Sequence, residues 1–113
     1  MGGPRRLHYP AEDVTIDLDR RSVTVRGEEV RLSKTEWQML EALAGHAGRV
    51  LLHRELLARV WGPEYVDDVH YLRIWVSRLR AKLERDPAAP TLIHTMPGLG
   101  YCLEAPSETS AEC

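Results

Sequence analysis

Between Val69 and Arg85 the chain places Arg73, Arg78, Arg80, Lys82 and Arg85 against one acid, Glu84, a local charge of +4. Arginine presents a rigid planar fork of donors that matches a phosphate or the O6/N7 edge of guanine. The apolar residues of the same segment, Val69, Leu72, Val76, Leu79 and Leu83, step by three and four, the spacing of one helix stripe. On that wheel His70, Arg73, Ile74, Ser77, Arg78 and Ala81 lie roughly opposite the stripe. A helix over 69–85 is therefore predicted, with a cationic outer face. A solvated helix face would carry the same charges, so the surrounding elements decide between the two readings.

Those elements are legible. Asp13–Leu18, Ser22–Arg26 and Glu29–Leu32 alternate polar and apolar residues, the period of strands with one buried face. Gly27-Glu28 reads as a turn, and Arg6–Tyr9 as a candidate edge strand ended by Pro10. Ser33-Lys34-Thr35-Glu36 fits a capping box, with Leu32 and Trp37 at the staple positions. Trp37, Leu40, Leu43, Ala44 and Ala47 continue the helix to Gly45–Gly48. A shorter helix covers about His53 to Trp61, with Leu56, Leu57 and Val60 inward, and Gly62-Pro63 stops it. Residues 62–68 form an acidic loop. After the basic helix, ended by Asp86-Pro87, strands Thr91–Thr95 and Tyr101–Leu103 flank the glycine-containing loop Met96–Gly100. The order is antiparallel sheet, three helices, hairpin: an α+β winged helix-turn-helix. A helix of this kind fits the major groove of DNA, and a thin hairpin can approach the neighbouring backbone. Residues 1–12 read as a linker or added residues, 13–105 as the domain, and 106–113 as a disordered acidic tail.

These segments match a known pattern. Val30–Trp37, Arg54–Leu57 running to Val60-Trp61, Val76–Leu83 followed by Asp86-Pro87, and Ile93–Thr95 running to Gly98–Tyr101 together resemble the winged-helix effector domain of OmpR/PhoB-type two-component response regulators. Val60–Pro63 and His70–Ile74 look closest to the KdpE-like branch, regulators of potassium transport. The resemblance implies that helix 69–85 is the recognition helix and that the chain binds double-stranded DNA as tandem direct repeats, two copies head to tail. It implies that loop 62–68 faces RNA polymerase. It also implies a separate receiver domain of roughly 120 residues, served by a sensor kinase; the phosphoacceptor belongs there and to no Asp of this chain. Departures stand at Trp37, where the family usually has Phe, and at Pro97 and Cys102, where the wing usually carries Arg. Leu103 replaces a second common Phe.

Arg73, Ser77 and Arg78 are the primary readers of base or phosphate. Ile74 is either a thymine-methyl contact or an incidental exposed residue. Arg80, nearer the stripe, holds a phosphate or forms an intramolecular ion pair. His70 and Tyr71 lie near the helix N-terminus, where a phosphate is favourable. Thr95 and Tyr101, at the base of the wing, offer neutral hydrogen bonds or serve strand pairing and the core edge. Trp75 reads as packing at the core rim. Glu64, Asp67 and Asp68 would repel DNA; they suit a basic protein partner such as RNA polymerase, or the N-terminal charge of the next helix.

The whole-chain balance argues the other way at first sight. With 113 residues, 15 basic and 17 acidic, the net charge is −2, whereas DNA-binding domains are usually basic. Divided by segment, a +4 helix lies between a −3 loop at 63–68 and a −4 stretch at 86–113. A winged-helix module for protein interaction, with little DNA binding, is the alternative that the weakened wing favours. The five histidines show no i,i+4 pair and no Cys at ligand spacing, so no metal or other cofactor is expected. No nucleophile elbow, phosphate loop or catalytic carboxylate pair marks an enzyme. Cys102 and Cys113 suggest no disulfide framework. No apolar run approaches a membrane span and the N-terminus lacks a signal sequence, which points to the cytoplasm.

Overall fold

A computed structural model describes residues 5–106 and 113. Four short strands, β1 (Arg6–Tyr9), β2 (Val14–Asp17), β3 (Ser22–Val25) and β4 (Glu28–Val30), form an antiparallel sheet in sequential order. Leu7, Val14, Ile16, Val23 and Val25 alternate inward and are buried. The register pairs Leu7 with Ile16, Ile16 with Val23, and Val23 with Val30, which keeps one apolar face continuous.

Helix α1 (Lys34–Ala44) starts at the predicted box. The Ser33 hydroxyl accepts the Glu36 amide at 3.2 Å, and the Glu36 carboxylate accepts the Ser33 amide at 2.8 Å. Trp37 is buried, and its indole Nε1 has no hydrogen-bond partner among the described residues. A phenyl ring here would carry no such donor. Strand β5 (Leu51–Leu52) leads directly into α2 (His53–Val60). The Glu55 carboxylate accepts the Leu52 amide at 2.8 Å and closes the start of that helix. A 3-10 turn at Pro63–Tyr65 carries the chain to α3 (Val69–Leu83), whose Leu72, Val76, Leu79 and Leu83 are buried.

The hairpin of β6 (Ile93–Met96) and β7 (Gly100–Leu103) is joined by β5 into a second antiparallel sheet, ordered β5-β7-β6. A β-carbon on Gly100 would run into the Leu51 carbonyl, so only glycine permits this approach of β5 to β7. The tip is Met96-Pro97-Gly98-Leu99, closed by the Leu99 amide donating to the Met96 carbonyl at 2.9 Å. Proline second, glycine third at φ 77°, and that bond are the signature of a type II turn. Tyr9 links the two sheets: its hydroxyl donates to the Glu104 carbonyl at 2.6 Å.

Four expectations need correction. The turn expected at Gly27-Glu28 falls at Arg26-Gly27, both at positive φ, and Glu28 pairs with Val25 as the first residue of β4, which ends at Val30. The basic helix ends at Leu83, not Arg85, because Glu84 turns inward. Its carboxylate, 3% exposed, accepts the amides of Thr91, Leu92 and Ile93 at 2.8–3.2 Å. For the same reason the first wing strand starts at Ile93 rather than Thr91: the amides ahead of it are already taken. Finally, Cys102 and Cys113 form a disulfide, which ties the last residue to the centre of β7. The remainder of the expected acidic tail, 107–112, lies outside the described residues.

Candidate nucleic-acid interface

Helix α3 buries its stripe against α1 and α2, and this leaves His70, Tyr71, Arg73, Ile74, Ser77 and Arg78 exposed along its outer side. Ile74 and Tyr71 each keep 40% of their surface in solvent. Arg73 and Arg78 form no ion pair among the described residues. Arg78 lies over the Trp75 ring, 4.6 Å from its centroid. Trp75 is in turn flanked by Trp61 and Tyr71, each 6.4 Å away between centroids. A cation over an indole face is held electrostatically, so the rim aromatic restricts the guanidinium beside it.

The other cations of α3 face inward. Arg80 donates to the Ile93 carbonyl at 2.7 and 3.2 Å and to the Thr95 hydroxyl at 2.7 Å, and it lies 5.7 Å from the Tyr101 ring centroid. The intramolecular ion pair that the sequence left open for Arg80 is not formed among the described residues; its partners are a carbonyl and a hydroxyl instead. Lys82 donates to Glu36 at 2.6 Å and to the Arg31 carbonyl at 3.1 Å. Burial alone would raise the Glu36 carboxyl; the Lys82 and Ser33 hydrogen bonds outweigh it and hold the group below the ordinary carboxylate value.

Between α3 and the wing lies a cleft of about 500 Å³, lined by His53, Arg73, Ser77, Arg80, Thr95 and Tyr101, with the turn at Met96–Gly98 at its mouth. The fold therefore brings Arg73, Ser77, Arg80, Thr95 and Tyr101 together. Thr95 is exposed, whereas Tyr101 is only 4% exposed and presents its ring to the cleft wall. Ile74, Arg78, His70 and Tyr71 lie outside the cleft lining, on the exposed side of α3. Glu64, Asp67 and Asp68 are exposed in the loop before α3, and among the described residues no acid lines the cleft. Asp68 occupies the position ahead of the helix, yet its carboxylate makes no capping hydrogen bond.

His53 was not marked by the sequence. Nothing in its spacing announces it; it reaches the cleft because β5 docks α2 against the wing. Among the described residues no three His, Cys, Asp or Glu groups gather as a metal site would require, and no helix is long and apolar enough to cross a membrane.

Residues 27–103 match the family model described as "Transcriptional regulatory protein, C terminal". The chain belongs to this family. It is a family of transcriptional regulators, not an enzyme class. The chain is 48% identical over 89 residues to the KDP operon transcriptional regulatory protein KdpE of Escherichia coli, covering 79% of this chain and 40% of that protein. It is 46% identical over 94 residues to KdpE of Mycobacterium tuberculosis, covering 83% and 42%. The sensory transduction protein RegX3 of Mycolicibacterium smegmatis is also 46% identical over 94 residues, covering 83% and 41%, so identity does not separate the KdpE branch from its neighbour. The chain thus spans about two fifths of the length of these relatives. Among solved structures, the Klebsiella pneumoniae RstA DNA-binding domain in complex with the RstA box superposes with a TM-score of 0.76 at 33% identity, covering 92% of this chain and all of that one. The effector domain of BfmR from Acinetobacter baumannii gives 0.71 at 34%, covering 88% and 90%. The fold is the winged helix of OmpR/PhoB-type effector domains.

Proposed function

We propose that the chain is the DNA-binding output domain of a two-component response regulator and controls transcription by sequence-specific binding. The observation that carries this reading is the joint placement of exposed Arg73, Ser77 and Arg78, without an ion pair among the described residues, beside a cleft between α3 and the wing that no described acid lines. On this reading α3 enters the major groove. Arg78 and Arg73 read bases or phosphates, Ile74 meets a thymine methyl, and His70, Tyr71, Thr95 and Tyr101 contribute at the backbone. Arg80 acts through the wing it holds. Two copies bind tandem direct repeats head to tail, and a receiver domain under a sensor kinase governs that pairing in the cytoplasm. The exposed acids Glu64, Asp67 and Asp68 face RNA polymerase. Reversing their charge is expected to raise DNA affinity, because they repel phosphate, while removing activation.

The direct test is selection of bound duplexes from a random pool, followed by titration at several salt concentrations. The logarithm of affinity is expected to fall with log[salt] by about 0.9 for each phosphate neutralised. A folded domain that binds no duplex with any salt dependence would overturn the reading and favour a protein-interaction module.

A further inference from the structure

His53 opens α2 at the point where three elements meet. Its amide donates to the Leu99 carbonyl at 3.0 Å, so the helix start is tied to the wing turn. Its ring stands edge-on to Tyr101, 5.7 Å between centroids at 69°. The same tyrosine ring carries the Arg80 guanidinium. The imidazole therefore lines the cleft together with Arg73, Ser77, Arg80 and Thr95.

We propose that this cleft holds one phosphate of the DNA backbone, and that His53 binds it as an imidazolium, so that DNA binding takes up a proton. The proposal rests on the DNA-binding reading and names a ligand within it. The chemistry of the lining selects an anion: two guanidinium groups, three hydroxyl-bearing residues and an imidazole, with no carboxylate among the described lining residues. Arg73 and Arg80 face His53 from α3 and Tyr101 from β7. On its own helix, the neighbouring Arg54 is exposed and the Glu55 carboxylate is engaged by the Leu52 amide. With cations as the charged neighbours across the cleft, a proton on His53 is unfavourable until an anion arrives.

Burial first, and then the Arg73 charge, hold the free imidazole below its ordinary value. It is thus mainly neutral at pH 7. A phosphate offsets the Arg73 field and offers an acceptor, which raises the affinity of the ring for a proton from solvent. Linkage fixes the sign. Above both the free and bound values the ring is neutral in either state; between them each binding event takes up a proton, and affinity rises as pH falls.

The test is a fluorescence-anisotropy titration of the chain with a labelled duplex from the selection, at pH 8, 7 and 6 and constant salt, for the wild type and His53→Gln. The wild type is expected to bind about three- to tenfold more tightly at pH 6 than at pH 8, and His53→Gln to lose most of that rise. His70, exposed on α3, is present in both proteins, so its contribution cancels in the difference. His53→Lys, charged throughout, is expected to bind with a flatter pH response. In the wild type, the imidazole resonances of His53 are expected to titrate at higher pH once duplex is added, a readout that needs no variant. An unchanged pH response in His53→Gln, or a His53 titration unmoved by duplex, would overturn the proposal while leaving DNA binding intact. Absence of binding at every pH by the folded chain would instead remove the reading on which it rests.

Discussion

Toward its C-terminal end, α3 directs its cations into the protein: Arg80 reaches the Ile93 carbonyl and the Thr95 hydroxyl, and Lys82 reaches Glu36 and the Arg31 carbonyl. The acid that follows, Glu84, gathers the amides ahead of β6. Nearer the N-terminal end and on the outer side, Arg73 and Arg78 face solvent. The same type of side chain thus serves two ends. A cation withdrawn from water needs fixed acceptors; Arg80 finds them in the wing and so ties it to α3, whereas Lys82 finds them in α1 and the segment just before it. Arg73 has no ion-pair partner among the described residues, and Arg78 has only the face of Trp75, so neither gives up an ion pair when a phosphate approaches. On the proposed reading, the +4 segment is part folding device and part binding surface.

The largest expected effect lies in the folding part. Glu84→Ala leaves the buried amides of Leu92 and Ile93 without an acceptor, and is expected to cost about 3 kcal/mol or more in urea unfolding. A loss below 1 kcal/mol would show that water or a shifted strand serves those amides equally well. In the binding part, Arg78→Ala is expected to weaken specific DNA binding by about 1–3 kcal/mol while changing stability by no more than about 0.5 kcal/mol. If both variants moved stability and binding together, the division of α3 into two parts would fail.

How much of this could be read from the sequence depends on the range of each interaction. The Ser33/Glu36 box, the alternating strands and the stripe of α3 are local, and the residues that form them lie within one element. The fates of Arg80 and Lys82 depend on acceptors 13 to 51 positions away, so charge counting could establish that cations were present but not which were free. Strand β5, two residues long, has no period to detect; it exists because Gly100, half a chain away, allows Leu51 to approach. His53 joined the cleft by that same long-range pairing. In the sequence Glu84 is simply the one acid of a basic segment, and only the arrangement of the wing amides gives it a purpose. The Cys102–Cys113 bond depends likewise on where the chain end returns, which spacing alone does not determine.

A smaller effect separates the inward pair by pH. Glu36 titrates below the usual carboxylate range in the folded chain. Its contribution is therefore complete above the unfolded value, near 4.5, and is lost as pH falls through the folded one. Lys82→Met removes the first of the hydrogen bonds that lower it. Because the lysine is 36% exposed, solvent screens the pair, and the expected cost at pH 7 is about 1 kcal/mol. That cost should shrink in acid, where the wild type loses the same interaction. A difference that stayed constant from pH 7 to pH 3 would show that Lys82 acts through packing of its stem instead.

The smallest effect concerns the wing tip, where the two functions compete for one position. Pro97 sets the backbone ahead of Gly98 in the type II turn, yet it stands where related domains usually carry Arg. Pro97→Arg exchanges a stiff turn for a mobile cation. The unfolded chain gains freedom, at a cost of about 0.4–1 kcal/mol in stability. If the tip runs beside the DNA backbone, one further phosphate is neutralised: the salt dependence steepens by about 0.9 in log–log slope, with less than a tenfold gain in affinity at moderate salt. An unchanged slope in a folded variant would mean that the tip stays clear of the backbone. The cleft behind it, rather than the tip, would then be where the wing side of the domain meets DNA.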